Sequence, residues 1–276
     1  MSNTIITASL VVYNCDLDKL YGTIDTFLSQ ENVDKYLVIV DNASTKRDII
    51  DSLKNKYNSN RNVAIINGML NRGYGGGNNI GFIVANEYLK LNNITKNRYH
   101  IILNPDLIIE PLCLQKMTDF MDINKDTGLC VPKICNIDGT IQELNKEHPT
   151  FFDLFVRRFL PKFITKNEYF IKRHDYYVRK AFGYDKVVEV PFASGCFMFF
   201  RPDIYETLGG FDEEYFLYME DADISRRAGK ITKVMFFPDA IVKHHWERAT
   251  HKNLKMTLVA VHSAIIYFRK HGFKLF

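Results

Sequence analysis

Glu220 and Asp221 stand side by side at the start of a helix predicted over 220–228, inside Gly209-Gly-Phe-Asp-Glu-Glu-Tyr-Phe-Leu-Tyr-Met-Glu-Asp-Ala-Asp-Ile-Ser-Arg-Arg-Ala-Gly229. On such a helix Asp223 meets Arg226 and Arg227 three and four residues later, so its charge is matched. Glu220 and Asp221 are left over. A carboxylate flanked by Phe216, Tyr218 and Met219 suits a base that takes a proton from a hydroxyl. The same pattern also arises from an acidic first turn favoured by the helix dipole. A second centre is Asn104-Pro105-Asp106, where a proline fixes the turn and leaves a carboxylate at a strand end, a fit for a hard cation bridging two phosphates. Pro-Asp turns are common in their own right. His244-His245-Trp246 follows a strand predicted over 231–237, and either a metal-binding or a structural imidazole fits there.

The elements that carry these groups alternate. Residues 4–13 are a β-branched apolar run, 18–30 have helical spacing at Leu20, Ile24, Phe27 and Leu28, 36–40 is a buried strand, 47–57 a helix and 63–66 a short strand. Asn71-Arg-Gly-Tyr-Gly-Gly-Gly-Asn-Asn79 opens a helix that runs to about Leu91, and His100–Leu103 is the next strand. This predicts a mainly parallel, doubly wound α/β sheet. Ligands of such sheets bind at the carboxyl ends of the strands. Asn14, Asp41-Asn42, the glycine-rich stretch and Asn104 to Asp106 all fall there. Asp41 suits a base or ribose, or a simple turn, and the glycines would let backbone amides approach a ligand. The spacing after Gly73 is not a dinucleotide fingerprint, because Asn78 stands where its last glycine belongs.

Beyond Asp106 the pattern changes. A helix is predicted over 110–124, a strand and turn over 129–142, strand over 187–201, short helix over 202–209, and a final helix with apolar and basic faces over 253–270. Residues 150–182 are aromatic and basic without a period and read as a mobile insertion.

Net charge is +4, from 36 Lys and Arg against 32 Asp and Glu, but it is unevenly spread. Residues 151–186 hold nine Lys or Arg against four Asp or Glu, and 251–276 hold five against none. Such segments suit an anionic surface, or are merely a solvated basic face. Five scattered cysteines, none in Cys-x-x-Cys spacing, read as reduced thiols. The first residues read as a strand and not as a signal peptide, and the apolar stretch Met256–Phe268 is too short to span a bilayer. A cytoplasmic protein, at most membrane-associated, is expected.

Together these segments resemble the family 2 glycosyltransferases, specifically the rhamnosyltransferase-like members that build bacterial surface polysaccharides such as O-antigen. The likeness covers about 4–250 and rests on Val-Val-Tyr-Asn14, Val-Asp41-Asn-Ala-Ser44, the 71–79 stretch, Leu-Asn-Pro-Asp106, Ala-Ser-Gly195-Cys-Phe-Met, Gly-Gly-Phe-Asp212 through Asp221, and His245 five residues before Thr250. It implies a GT-A fold over 1–250, with 150–186 as an insertion and 251–276 as an amphipathic basic tail. It also implies a nucleotide site at Tyr13, Asn14, Asp41, Asn71, Gly73, Asn79 and Asn104, Mg2+ or Mn2+ on Asp106 and His245, and Asp221, with Glu220, as the catalytic pair. Asn104-Pro105-Asp106 has one carboxylate fewer than the Asp-x-Asp of many members, and Trp246-Glu-Arg248 and Thr250 replace the usual glycines and serine.

The implied reaction is inverting transfer, with dTDP-rhamnose the best-matched donor and UDP-linked galactose, galactofuranose or N-acetylhexosamine the alternatives. The implied acceptor is a polyprenyl-diphosphate-linked saccharide, met at an anionic membrane on the inner face of the cell membrane. Against a nucleotidyltransferase, Val-Val-Tyr-Asn-Cys follows the first strand where a basic glycine-rich loop is needed. A non-catalytic saccharide-binding module need not keep the acidic groups. No motif for nucleic acid accompanies the basic segments.

Overall fold

The computed structural model describes residues 4–156, 167–245 and 254–276. Its centre is one nine-stranded sheet. β1 (Thr4–Val12), β2 (Asp34–Asp41), β3 (Val63–Asn67) and β4 (Asn97–Leu103) are mutually parallel, ordered β3-β2-β1-β4, as their alternation with α1 (Leu17–Leu28), α2 (Arg47–Tyr57) and α3 (Gly73–Leu91) predicts. β1 is buried at every residue, which explains its unbroken apolar run.

The second half is mixed. Short β5 (Leu107–Ile109), α4 (Cys113–Ile123), β6 (Thr127–Cys135), β7 (Val188–Glu189), β8 (Phe197–Phe200) and β9 (Lys233–His244) complete the order β4-β8-β6-β9-β5, with β7 also on β9. β8 runs antiparallel to both β4 and β6, and β9 runs parallel to β6. Six strands therefore point one way. Because Leu103 pairs with Phe197, the turn leading into β8 enters the sheet at the edge where β1, β2 and β4 end. The other pairs on that edge are Cys135 with Lys243 and Leu107 with His244. β9 reaches His244, seven residues beyond the predicted end at 237.

The glycine-rich stretch opens α3 as predicted, with all four of its glycines inside the helix. A Cβ on Gly77 would stand 2.8 Å from Val11 Cγ2, and one on Gly81 would stand 2.4 Å from Ser9 Cβ. The helix thus rests directly on β1, which only side-chain-free positions allow.

Three further helices are α5 (Glu168–Tyr177), α6 (Pro202–Thr207) and α7 (Glu220–Ala228). α5 occupies part of the segment read as aperiodic, while 157–166 lie outside the described residues. The last helix, α8 (Leu254–His271), lays Ile266 and Tyr267 on Tyr215, Met219 and Ala222. Ser263 Oγ donates to Leu217 O at 2.8 Å, and His271 Nε2 lies 2.7 Å from Asp223 Oδ1. Arg269 pairs with Glu214 and Lys270 with Asp212, so the helix's basic end is spent on the 212–223 segment.

Candidate active site

Asp41 closes β2, only 2% exposed, with Ser44 N donating to its two oxygens at 3.3 and 3.2 Å. Asn42 anchors the next segment, donating to Asn71 Oδ1 (3.0 Å) and Gly73 O (2.7 Å) and accepting from Arg72 N (2.9 Å). Tyr13, exposed, directly follows β1.

Asp106 follows β4. Its Oδ1 is buried without a hydrogen-bond partner among the described residues. The His244 ring stands beside it, its Nε2 3.3 Å from that oxygen. Gln142 fixes this ring: its Oε1 is 3.0 Å from His244 Nδ1, and its Nε2 donates to His244 O at 3.0 Å. His245 was the residue expected beside Asp106. It gives Asp106 only a backbone hydrogen bond, N to O at 2.9 Å. Its ring charge is felt instead at Asp16, whose carboxyl is held low first by the Lys19 N–H and more weakly by His245. Successive strand residues face opposite ways, and in β9 the even-numbered residues point inward.

Asp221 begins α7 with Glu220. Gly195 N donates to Asp221 Oδ2 at 3.0 Å, and Ala222 N to Oδ1 at 2.9 Å. Burial raises the Asp221 carboxyl, opposed by Gly195 N–H and by the charge of Lys146. Glu220 is buried, its Oε2 without a partner among the described residues, and burial followed by the charge of Asp221 drives it well above the usual carboxylate range. Both carboxyls are thus pushed up, Glu220 the further because it also feels the charge of Asp221.

Two cysteines mark how near these groups come. Cys15 is pushed up to about 11, mainly by burial, and feels both Asp41 and Asp106. Cys196, at about 12 from burial, feels both Asp106 and Asp221. The three aspartates thus share one edge of the sheet. Asn104 joins them by its backbone, donating to Cys196 O at 3.0 Å.

Other expected ligand residues are engaged within the protein. Asn79 donates to Phe211 O (2.9 Å) and Glu213 Oε1 (3.2 Å) and accepts from Tyr205 Oη (2.8 Å) and Phe211 N (2.9 Å), so its amide has no capacity left for a nucleotide. Asn14 Oδ1 accepts from Thr45 N, Thr45 Oγ1 and Lys46 N, holding that loop. Asn71 Oδ1 accepts from Asn42 and from Gly73 N. Gly73 has φ +74°, and a Cβ there would stand 2.0 Å from Phe216 O, so packing demands it.

Lys146 and Gln142 escaped sequence reading. Thr250 and Trp246–Arg248 lie outside the described residues. Among the described residues no three His, Cys, Asp or Glu side chains converge as a complete cation cage. Asp106 and His244 could nonetheless hold a divalent cation: a buried carboxylate oxygen without a hydrogen-bond partner among the described residues faces an imidazole oriented from behind by Gln142.

A model described as glycosyl transferase family 2 matches residues 7–209. N-acetylglucosaminyl-diphospho-decaprenol L-rhamnosyltransferase of Mycobacterium tuberculosis, in two strains, is 26% identical over 173 residues, 61% of this chain and 53% of that protein. The chain thus spans about half the length of these curated relatives. Among solved structures, GalNAc-T7 with UDP, GalNAc and Mn2+ superposes with a TM-score of 0.62 at 14% identity, over 89% of this chain and 44% of that one. The mannosyltransferase PcManGT of Pyrobaculum calidifontis, with GDP-Man and Mn2+, gives 0.60 at 14%, over 96% and 63%. At such identities the likeness concerns the fold, which is GT-A.

Proposed function

Because the chain belongs to glycosyl transferase family 2, we propose that it transfers L-rhamnose from dTDP-rhamnose, with inversion, to a lipid-linked saccharide. The observation that carries this reading is the gathering of Asp41, Asp106 with His244, and Asp221 along one sheet edge. The rhamnosyl donor and the lipid-diphosphate acceptor are supported by the activity for which the mycobacterial relatives are named.

Asp41, buried at the end of β2, binds the nucleoside. Asp106 and His244 hold a divalent cation, which when bound offsets the charge of the leaving nucleoside diphosphate. Asp221 takes the proton of the acceptor hydroxyl while that oxygen bonds the anomeric carbon and the bond from this carbon to the diphosphate oxygen breaks. One displacement inverts the sugar carbon. Glu220, already protonated, keeps the negative charge on Asp221.

No helix of the described residues is long and apolar enough to cross a membrane. The outer face of α8 carries Leu254, Leu258 and Ile265 at 77%, 62% and 59% exposure, a stripe with helical spacing. Exposed Phe273 and Phe276 continue it past the helix. With Arg269 and Lys270 already paired, the contact with a membrane holding the acceptor is apolar in character and not mainly electrostatic.

Incubation with polyprenyl-diphosphate-GlcNAc and, separately, dTDP-rhamnose, UDP-galactose, UDP-galactofuranose or UDP-GlcNAc, followed by mass spectrometry, tests the reading. A product heavier by one deoxyhexose is expected. A hexose or N-acetylhexosamine adduct instead would reassign the donor.

A further inference from the structure

We infer that Tyr74 is a positioning residue for Asp221, acting through the Gly195 backbone, an inference that rests on Asp221 being the base. Tyr74 belongs to the glycine-rich stretch, whose sequence suggests a nucleotide contact. Its side chain points elsewhere. Tyr74 Oη donates to Gly195 O at 2.5 Å, while Gly195 N donates to Asp221 Oδ2 at 3.0 Å. The same glycine is therefore gripped at both ends, by α3 and by α7.

The surrounding contacts make this grip specific. Tyr74 N donates to Phe216 O at 3.0 Å, an approach permitted because residue 73 has no Cβ. The ring packs edge-on against Phe211, centroids 5.8 Å apart. Burial holds the phenol well above its ordinary range, so it remains a donor. One residue on, Cys196 O is held by Asn104 N at 3.0 Å, which ties the same turn to the loop bearing Asp106. With two successive carbonyls pinned, the Gly195 N–H is aimed at Asp221, although glycine is the residue with most freedom to turn away. A Cβ on Gly195 would stand 3.1 Å from Asp221 Cβ, close enough to press the carboxylate side chain away by a few tenths of an ångström.

Loss of the phenol hydroxyl leaves in place the titratable groups that face Asp221, namely Glu220, Lys146, Cys196 and Tyr267. A changed titration of Asp221 in Tyr74→Phe thus reports the Gly195 hydrogen bond. The test is a carboxyl-carbon NMR titration of the full chain, with the Asp221 signal assigned by its loss in Asp221→Asn. In folded Tyr74→Phe the Asp221 midpoint should rise by about one pH unit, the size of one charge-assisted hydrogen bond. Turnover should fall about tenfold or more with donor KM unchanged. An unmoved midpoint in a variant that melts as a folded protein overturns the inference. If Tyr74→Phe does not fold, Gly195→Ala is read the same way, because its Cβ displaces the same contact. Full turnover by Asp221→Asn would remove the base reading, while the titration would still decide whether Tyr74 sets the carboxylate.

Discussion

His244 Nε2 lies 3.3 Å from Asp106 Oδ1, whereas His245, next in sequence, offers Asp106 only its backbone N–H. The antiparallel pairing of Leu107 with His244 sets this choice, and alternation along β9 lets only one imidazole of the pair face inward. His244→Ala should abolish cation-dependent binding of dTDP, and His245→Ala should retain it. Gln142→Leu, which frees the ring behind His244, should weaken that binding about 10- to 100-fold. Calorimetry with Mn2+ reads all three. Equal losses in both histidine variants would contradict the assignment.

The carboxylate pair should separate on mutation. Asp221→Asn is expected to lower turnover by about 10²- to 10⁴-fold, whereas Glu220→Gln, which mimics an acid that is already protonated, should stay within a few-fold. Turnover should decline as pH falls through the raised Asp221 value, since the base is then protonated.

Stability follows the opposite sign at Glu220. Its folded value lies above its unfolded one, so its contribution is complete below the unfolded value and is lost as pH rises through the folded value. Glu220→Gln should therefore gain in Tm over the parent at alkaline pH. Parallel melting curves across pH would show that Glu220 is not held neutral.

Asn79 joins α3 to the 211–213 loop with three hydrogen bonds and to Tyr205 of α6 with a fourth. Asn79→Ala should cost about 2–4 kcal/mol in denaturant unfolding, since it leaves buried partners unmatched. The affinity of the folded variant for dTDP should not change. A weakened affinity without loss of stability would return Asn79 to the nucleotide site.

Leu258→Glu and Ile265→Glu should each reduce flotation with phospholipid vesicles, and moderate salt should have little effect on the parent. A parent that floats only with anionic lipid at low salt would point to the basic residues instead of the α8 stripe.

The parallel half of the fold was legible because β1, β2 and β4 are unbroken buried runs separated by helical spacings, and the strand-end positions of Asp41 and Asp106 came with it. The glycine-rich stretch did not reveal its partners, because glycine signals close approach without saying to what. Here Gly73 approaches Phe216, Gly75 Phe211 and Gly77 Val11. His244 and His245 were named as a pair, and ending the strand at 237 hid the inward alternation of Ala240, Val242 and His244 that tells them apart. β5 has three residues, too few for a period, and α5 buries none of its residues, so no apolar face marked it. Lys146 carried no signal, since only the folding of 142–150 toward Phe192 and Asp221 gives it meaning.

The most direct measurement is calorimetric titration of dTDP into the parent chain and into Asp106→Ala, each with Mn2+ and with EDTA. Binding by the parent that requires Mn2+ and disappears in Asp106→Ala is the predicted result. Binding that survives both EDTA and the substitution would contradict a cation held at Asp106 and His244.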